Sequence, residues 1–225
     1  MERIISLWED FGSSHVALGL VLVCVTMLVF DNRRLGVVSL LLQYAMLGLV
    51  INTLVFEPIT WVRVGLGFSI CVVLYLTASR VQRRIARERA QENAFASAER
   101  PGNALTAIRS SSMGLTFRVM VLALGGLVGY GLWRTWPITF MSGAISLAVY
   151  WLIVGGLLMT MISSDPMRLG FGVLTFCNGV ESIYLHLEQS LIVIGFLGIV
   201  DALVALAIVV CVENWLASFD EEEAA

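Results

Sequence analysis

"TMLVFDNRRLG", Thr26–Gly36, returns 134 residues later as "TMISSDPMRLG", Thr160–Gly170. Thr, Met, Asp, Arg, Leu and Gly recur at the same places in both copies. The shared residues include polar ones, so this is more than one apolar stretch resembling another. Each copy sits at a turn between two apolar runs. A long-period match of this kind marks internal duplication and orders the rest of the chain around it.

The apolar runs on either side set the class. The chain has 225 residues, is 58% hydrophobic and has a mean hydropathy of +0.87. Charged residues are 14%, against about 25% in ordinary soluble domains. Apolar runs long enough to cross about 30 Å of hydrocarbon recur along it. The expectation is an all-α, polytopic membrane bundle with seven transmembrane helices, near 15–31, 34–55, 60–79, 114–133, 138–162, 168–187 and 190–212. Helices are required because an isolated strand leaves its backbone unsatisfied in lipid. The runs are too long and continuous for the alternating strands of an outer-membrane barrel. Trp61, Trp133, Trp136 and Trp215 lie at span ends, as an aromatic belt places them. The first residues read as a short amphipathic lead-in rather than a signal peptide, because Glu2, Glu9 and Asp10 interrupt them.

The duplication divides these spans. Residues 1–79 form an N-terminal three-helix repeat and 138–225 a C-terminal one with an acidic tail. Residues 80–113 form an arginine-rich segment, and 114–137 a linking transmembrane helix. A three-helix unit that starts on one side ends on the other. A second parallel copy therefore needs one extra crossing before it begins.

Arginine sets the orientation, since all 14 basic residues are arginines. Arg33 and Arg34, the seven between Arg80 and Arg109, Arg118 and Arg168 fall on one side, which should be cytoplasmic. Arg3, Arg63 and Arg134 fall on the other. The expectation is a multi-pass protein of the inner (cytoplasmic) membrane, N-terminus outside and C-terminus inside. The segment "RVQRRIARERAQENAFASAER" reads as a continuation of the third helix, with Glu88 and Glu92 among its arginines. Docking on a partner subunit or on anionic lipid is the other reading. Nucleic acid is not expected.

The last two spans carry acids where hydrocarbon should be. Glu181 and Asp201 lie midway along their runs, and intramembrane carboxylates mark ion or proton pathways by default. The turn "HLEQS" between them is short, so the two helices should be antiparallel neighbours. Asn178 and His186 flank Glu181 and complete a candidate proton relay of Glu181, Asp201, His186 and Asn178. The repeat equivalents of the two acids are Leu47 and Gly67, so this chemistry belongs to the second half. The first half contributes Gln43 and Asn52. Protonated acids bonded to backbone or to Asn178 are the structural alternative.

These residues resemble a known family. The last three spans are similar to the K subunit of respiratory complex I. They also resemble the C subunit of Mrp-type sodium/proton antiporters and the E component of hydrogenase-4-type membrane hydrogenases. The shared pattern is a helix, a short basic turn ("SSDPMRLG"), a helix with a buried glutamate (Glu181) and a helix with an acid before small residues ("GIVDALVALAIVV"). This sequence departs from the pattern in three ways. The second-half turn lacks Arg-Arg-Asn, Glu181 lies about one turn past the family glutamate (nearer Asn178), and the second acid is Asp201 rather than glutamate. The resemblance implies a subunit without catalytic residues or cofactor in a redox-driven, ion-translocating oxidoreductase complex. There it would contribute a buried carboxylate relay for protons or sodium beside antiporter-like and other small membrane subunits.

Other classes find less in the sequence. No nucleotide loop, hydrolytic triad or metal motif occurs. Cys24, Cys71, Cys177 and Cys211 form no CxxC or Cys/His cluster and read as buried apolar residues. His15 and His186, the only histidines, do not make a bis-histidine haem pair. A parallel repeat with acids in one half weakens a stand-alone transporter. A purely structural subunit of a respiratory or photosynthetic assembly remains as the alternative.

Overall fold

The computed structural model describes residues 2–30, 32–52, 57–99, 115–188 and 190–224. Among them every regular element is a helix: α1 (Glu2–Val29), α2 (Arg33–Asn52), α3 (Glu57–Glu99), α4 (Leu115–Thr135), α5 (Gly143–Ile162), α6 (Pro166–Leu187) and α7 (Leu191–Ala224). Five of them contain segments long and apolar enough to cross a membrane: Arg33–Val50, Trp61–Arg84, Thr116–Thr135, Gly143–Ile162 and Ile192–Ala217. The chain is a multi-pass helical membrane bundle. In α1 the described apolar stretch is the shorter Ser14–Val29. The α6 helix is long enough but carries Arg168, Asn178, Glu181 and His186, which lower its hydropathy. Its polar side is turned inward, so composition alone understates it.

The third helix runs on to Glu99, the continuation expected of residues 80–99. Two boundaries differ from the sequence reading. The lead-in does not break from the first span, because α1 is continuous from Glu2. Residues 100–114 lie outside the described part. The α5 helix starts at Gly143, five residues later than expected, because the Ser142 hydroxyl caps it by accepting from the Ile145 N–H.

The packing forms two rows of three. In one row α2 packs between α1 and α3, and in the other α6 packs between α5 and α7. The rows stack in the same order, α1 on α5, α2 on α6 and α3 on α7, and α4 leans on α1 and α5. An offset of 134 carries the start of α3, Glu57, onto the start of α7, Leu191.

The two copies of the repeated turn interlock. Arg33 of the first copy donates to Asp165 of the second at 2.9 Å. Asp165 also caps α6, accepting from the Met167 N–H, with Pro166 at the first helical position. Arg168 of the second copy donates to the Leu28 carbonyl, and Arg118 donates to Val29. Both carbonyls belong to the last turn of α1, where orphan acceptors and the negative end of the dipole favour cations.

Between the rows lies a core that includes Leu40, Leu74, Phe171, Leu174, Ala205 and Ile208. The α5–α6 contact is close enough to need glycine. A Cβ on Gly156 would meet the Phe176 backbone nitrogen at 2.5 Å and the Gly172 carbonyl at 2.8 Å.

Candidate functional site

One face of α6 is polar and buried. Thr175, Asn178, Glu181 and Ser182 follow one another at helical spacing, and all are sealed from the surface. This face meets α2 and packs beside α7, so anything polar on it must find partners there.

Glu181 is paired with Arg63. The Arg63 Nη2 donates to Glu181 Oε2, and both side chains are 4% exposed. The same Nη2 lies 3.5 Å from Asn178 Oδ1. Arg63 comes from the second turn of α3, about six residues from its start. Glu181 lies about six residues before the end of α6. At 1.5 Å per residue both are about 9 Å from the same end of the bundle. The pair joins the two rows.

Asp201 is fully buried on α7. The Tyr44 hydroxyl, from α2, donates to its Oδ2 at 3.0 Å. Glu181 and Asp201 lie within reach of each other's charge. One residue from Tyr44, Gln43 accepts from the Thr175 hydroxyl at 3.4 Å. The Tyr44–Asp201 and Thr175–Gln43 bonds also cross between the rows. Several polar atoms remain without a hydrogen-bond partner: Glu181 Oε1, Asp201 Oδ1, Arg63 Nε, Asn178 Nδ2 and Gln43 Nε2.

Three of the four relay residues named from sequence are brought together: Glu181, Asp201 and Asn178. His186 is not joined to them by any described side-chain contact. Its Nδ1 lies 2.7 Å from the Ser182 carbonyl one turn back, and its ring sits 6.5 Å from that of Phe140. Asn52 falls among the side chains outside the described set.

Arg63 is the residue whose role sequence reasoning misses: it enters only the arginine tally of one side, and its side chain turns into the bundle. A charged group inside a span cannot face lipid cheaply and seeks an opposite charge. The signal was present in "WVRVGLGF", a lone arginine within an apolar run. Tyr44 was not singled out either.

The repeat explains where the acids are not. Gly67 is the equivalent of Asp201, and a Cβ there would strike the Tyr44 ring at 2.6 Å. The first half thus keeps this position empty so that Tyr44 can stand beside it and reach across to Asp201. Leu47, the equivalent of Glu181, is buried in a second apolar cluster with Leu20 and Leu152.

Comparison with protein-family models, with curated proteins and with solved structures finds no match to this chain. The chemistry must therefore be read from the cluster itself. It contains one guanidinium and two carboxyls in a low-dielectric interior. A single fixed cation balances one carboxylate, and isolated buried charge is strongly unfavourable. Apolar side chains close the site above and below. The long core fills one side, and a thin group of Leu185, Ile194 and Leu197 covers the other.

Proposed function

We propose that this chain is a membrane subunit of a larger energy-converting complex of the complex I or hydrogenase-4 kind. In it, the Arg63–Glu181–Asp201 cluster holds one exchangeable proton. The observation that carries this reading is the unequal charge count, with Glu181 Oε1 and Asp201 Oδ1 both buried and unpartnered. Buried acids with perturbed environments are where proton-handling chemistry is found. Arg63 replaces His186 as the working neighbour of Glu181, and Asn178 and Tyr44 orient the carboxyls. The site sits in one small chain, so ions reach it through antiporter-like partners packed on the second row. Sodium in place of the proton is the variant of this reading that the same site admits.

The orientation that belongs to this proposal has the N-terminus outside the inner membrane and the C-terminus in the cytoplasm. The cluster then lies in the outer half of the bilayer.

The test uses Glu181→Gln and Asp201→Asn in the intact complex, reconstituted into liposomes with a pH-sensitive dye. The amides keep size and most hydrogen bonding but cannot titrate. Proton pumping per assembled complex should fall by about tenfold or more, which is about 1.4 kcal/mol or more of barrier. Unchanged pumping with normal assembly would remove the proton role.

A second reading has its own observation. Arg63–Glu181, Tyr44–Asp201, Thr175–Gln43 and Arg33–Asp165 all cross between the rows. On this reading the chain is a structural subunit whose polar contacts fix the pairing of its halves. It predicts that the amide variants lose assembly and pumping together.

A further inference from the structure

The two acids of the cluster have unequal partners. Arg63 faces α6: among the described residues its Nη2 donates to Glu181 Oε2 and lies 3.5 Å from Asn178 Oδ1. Asp201 stands on α7, and none of the ion pairs among the described residues includes it. Its Oδ2 accepts instead from a neutral donor, the Tyr44 hydroxyl, at 3.0 Å. Its Oδ1 has no hydrogen-bond partner. Asp201 and Tyr44 are 0% and 2% exposed, so bulk water does not make up the difference.

Coulomb attraction is largest at contact and weakens with distance. A hydrogen bond to an ionised group is also about twice as strong as one between neutral groups. The guanidinium therefore holds Glu181 in its charged form. The acid without a contacting cation is the one left neutral.

We propose that the exchangeable proton of the cluster rests on Asp201, and that Tyr44 is the positioning residue that fixes which oxygen carries it. The inference rests on the proton-holding reading above. A neutral carboxyl has one carbonyl and one hydroxyl oxygen, and the carbonyl is the better acceptor. Donation from Tyr44 makes Oδ2 the carbonyl and leaves Oδ1 to carry the proton. The labour is then divided between the rows. Glu181 and Arg63 form a fixed ion pair, Asp201 titrates, and α2 supplies the hydroxyl that orients it.

The full chain is made by cell-free synthesis with aspartate carrying a heavy carbon isotope in its side-chain carboxyl, and separately with glutamate labelled in the same way. Infrared spectra are recorded in mild detergent at neutral pH without sodium. A heavier carbon lowers the carbonyl stretch of whichever acid holds the proton. The buried carboxylic-acid band should move to lower frequency with labelled aspartate and stay in place with labelled glutamate. Tyr44→Phe keeps the ring and removes only the hydroxyl. In that variant the band should move to higher frequency, because a hydrogen bond that weakens the C=O bond is gone. A band that follows the glutamate label overturns the proposal while leaving a proton in the cluster. So does an aspartate band that Tyr44→Phe leaves unmoved. Absence of any buried band in wild type removes the proton-holding reading itself, and this inference with it. The isotope comparison needs no substitution, so it decides where the proton rests whether or not Tyr44→Phe folds.

Discussion

Replacing Arg63 by Gln strands Glu181 as a buried charge. Breaking a buried pair from one side typically destabilises by about 3–5 kcal/mol, whereas replacing both partners by apolar residues is neutral or stabilising. Arg63→Gln should therefore lower the unfolding temperature in detergent sharply, and the double change R63L/E181L should restore it. Equal stability of Arg63→Gln and wild type would mean that the pair is not formed. A second residue-scale expectation concerns Gly67. A methyl there meets the Tyr44 ring, so Gly67→Ala should cost about 1–3 kcal/mol by overpacking. The loss should shrink when combined with Tyr44→Leu, which a thermal-unfolding double-mutant cycle can read. At this scale the sequence was uneven. Glu181, Asn178 and Asp201 stand out because polar groups in hydrocarbon are conspicuous. Tyr44 does not, because its ring is as apolar as any core aromatic and only its hydroxyl matters. Arg63 is visible but enters only the arginine tally of one side, and its partner lies 118 positions away, beyond any local pattern.

The α6 helix ties the site to the fold. It carries a buried polar face, and its neighbours α2, α5 and α7 enclose it. Its closest approach is to α5, where Gly156 and Gly172 face each other with backbone in contact range. Backbone cannot move aside as a flexible side chain can. Gly156→Ala and Gly172→Ala should each separate the two helices and destabilise by about 1–3 kcal/mol or more, measured as loss of thermal stability. Wild-type stability in both would contradict the packing. Helix existence was legible everywhere, because runs of this length in a membrane admit little else. The ends were less so. The α3 extension is polar and has no membrane period, so only its charge pattern hinted at a helix. The late start of α5 follows from Ser142 acting as a cap, a choice the apolar pattern does not reveal.

The whole molecule consists of two like rows of unlike chemistry. The second row supplies the acids and the first supplies the arginine, the tyrosine and the glutamine that answer them. The duplicated turn made the two rows legible, but not their stacking, since no sequence period says which row face meets which. Topology is testable directly. With the arginine-rich end of α3 in the cytoplasm, a single cysteine at Ala94 should react with a membrane-impermeant label from that side, and one at Thr135 only from the other. The reverse pattern would invert the orientation proposed for the bundle. The central claim is that two buried carboxyls and one guanidinium share one proton. Infrared spectroscopy of the purified protein at neutral pH, in sodium-free buffer, reads it most directly through the carbonyl stretch of a protonated carboxylic acid. Wild type should show one such buried band. Glu181→Gln and Asp201→Asn should each abolish it, because either change leaves one acid balanced by Arg63. A wild-type spectrum without the band, or a band unchanged in both variants, would contradict the account.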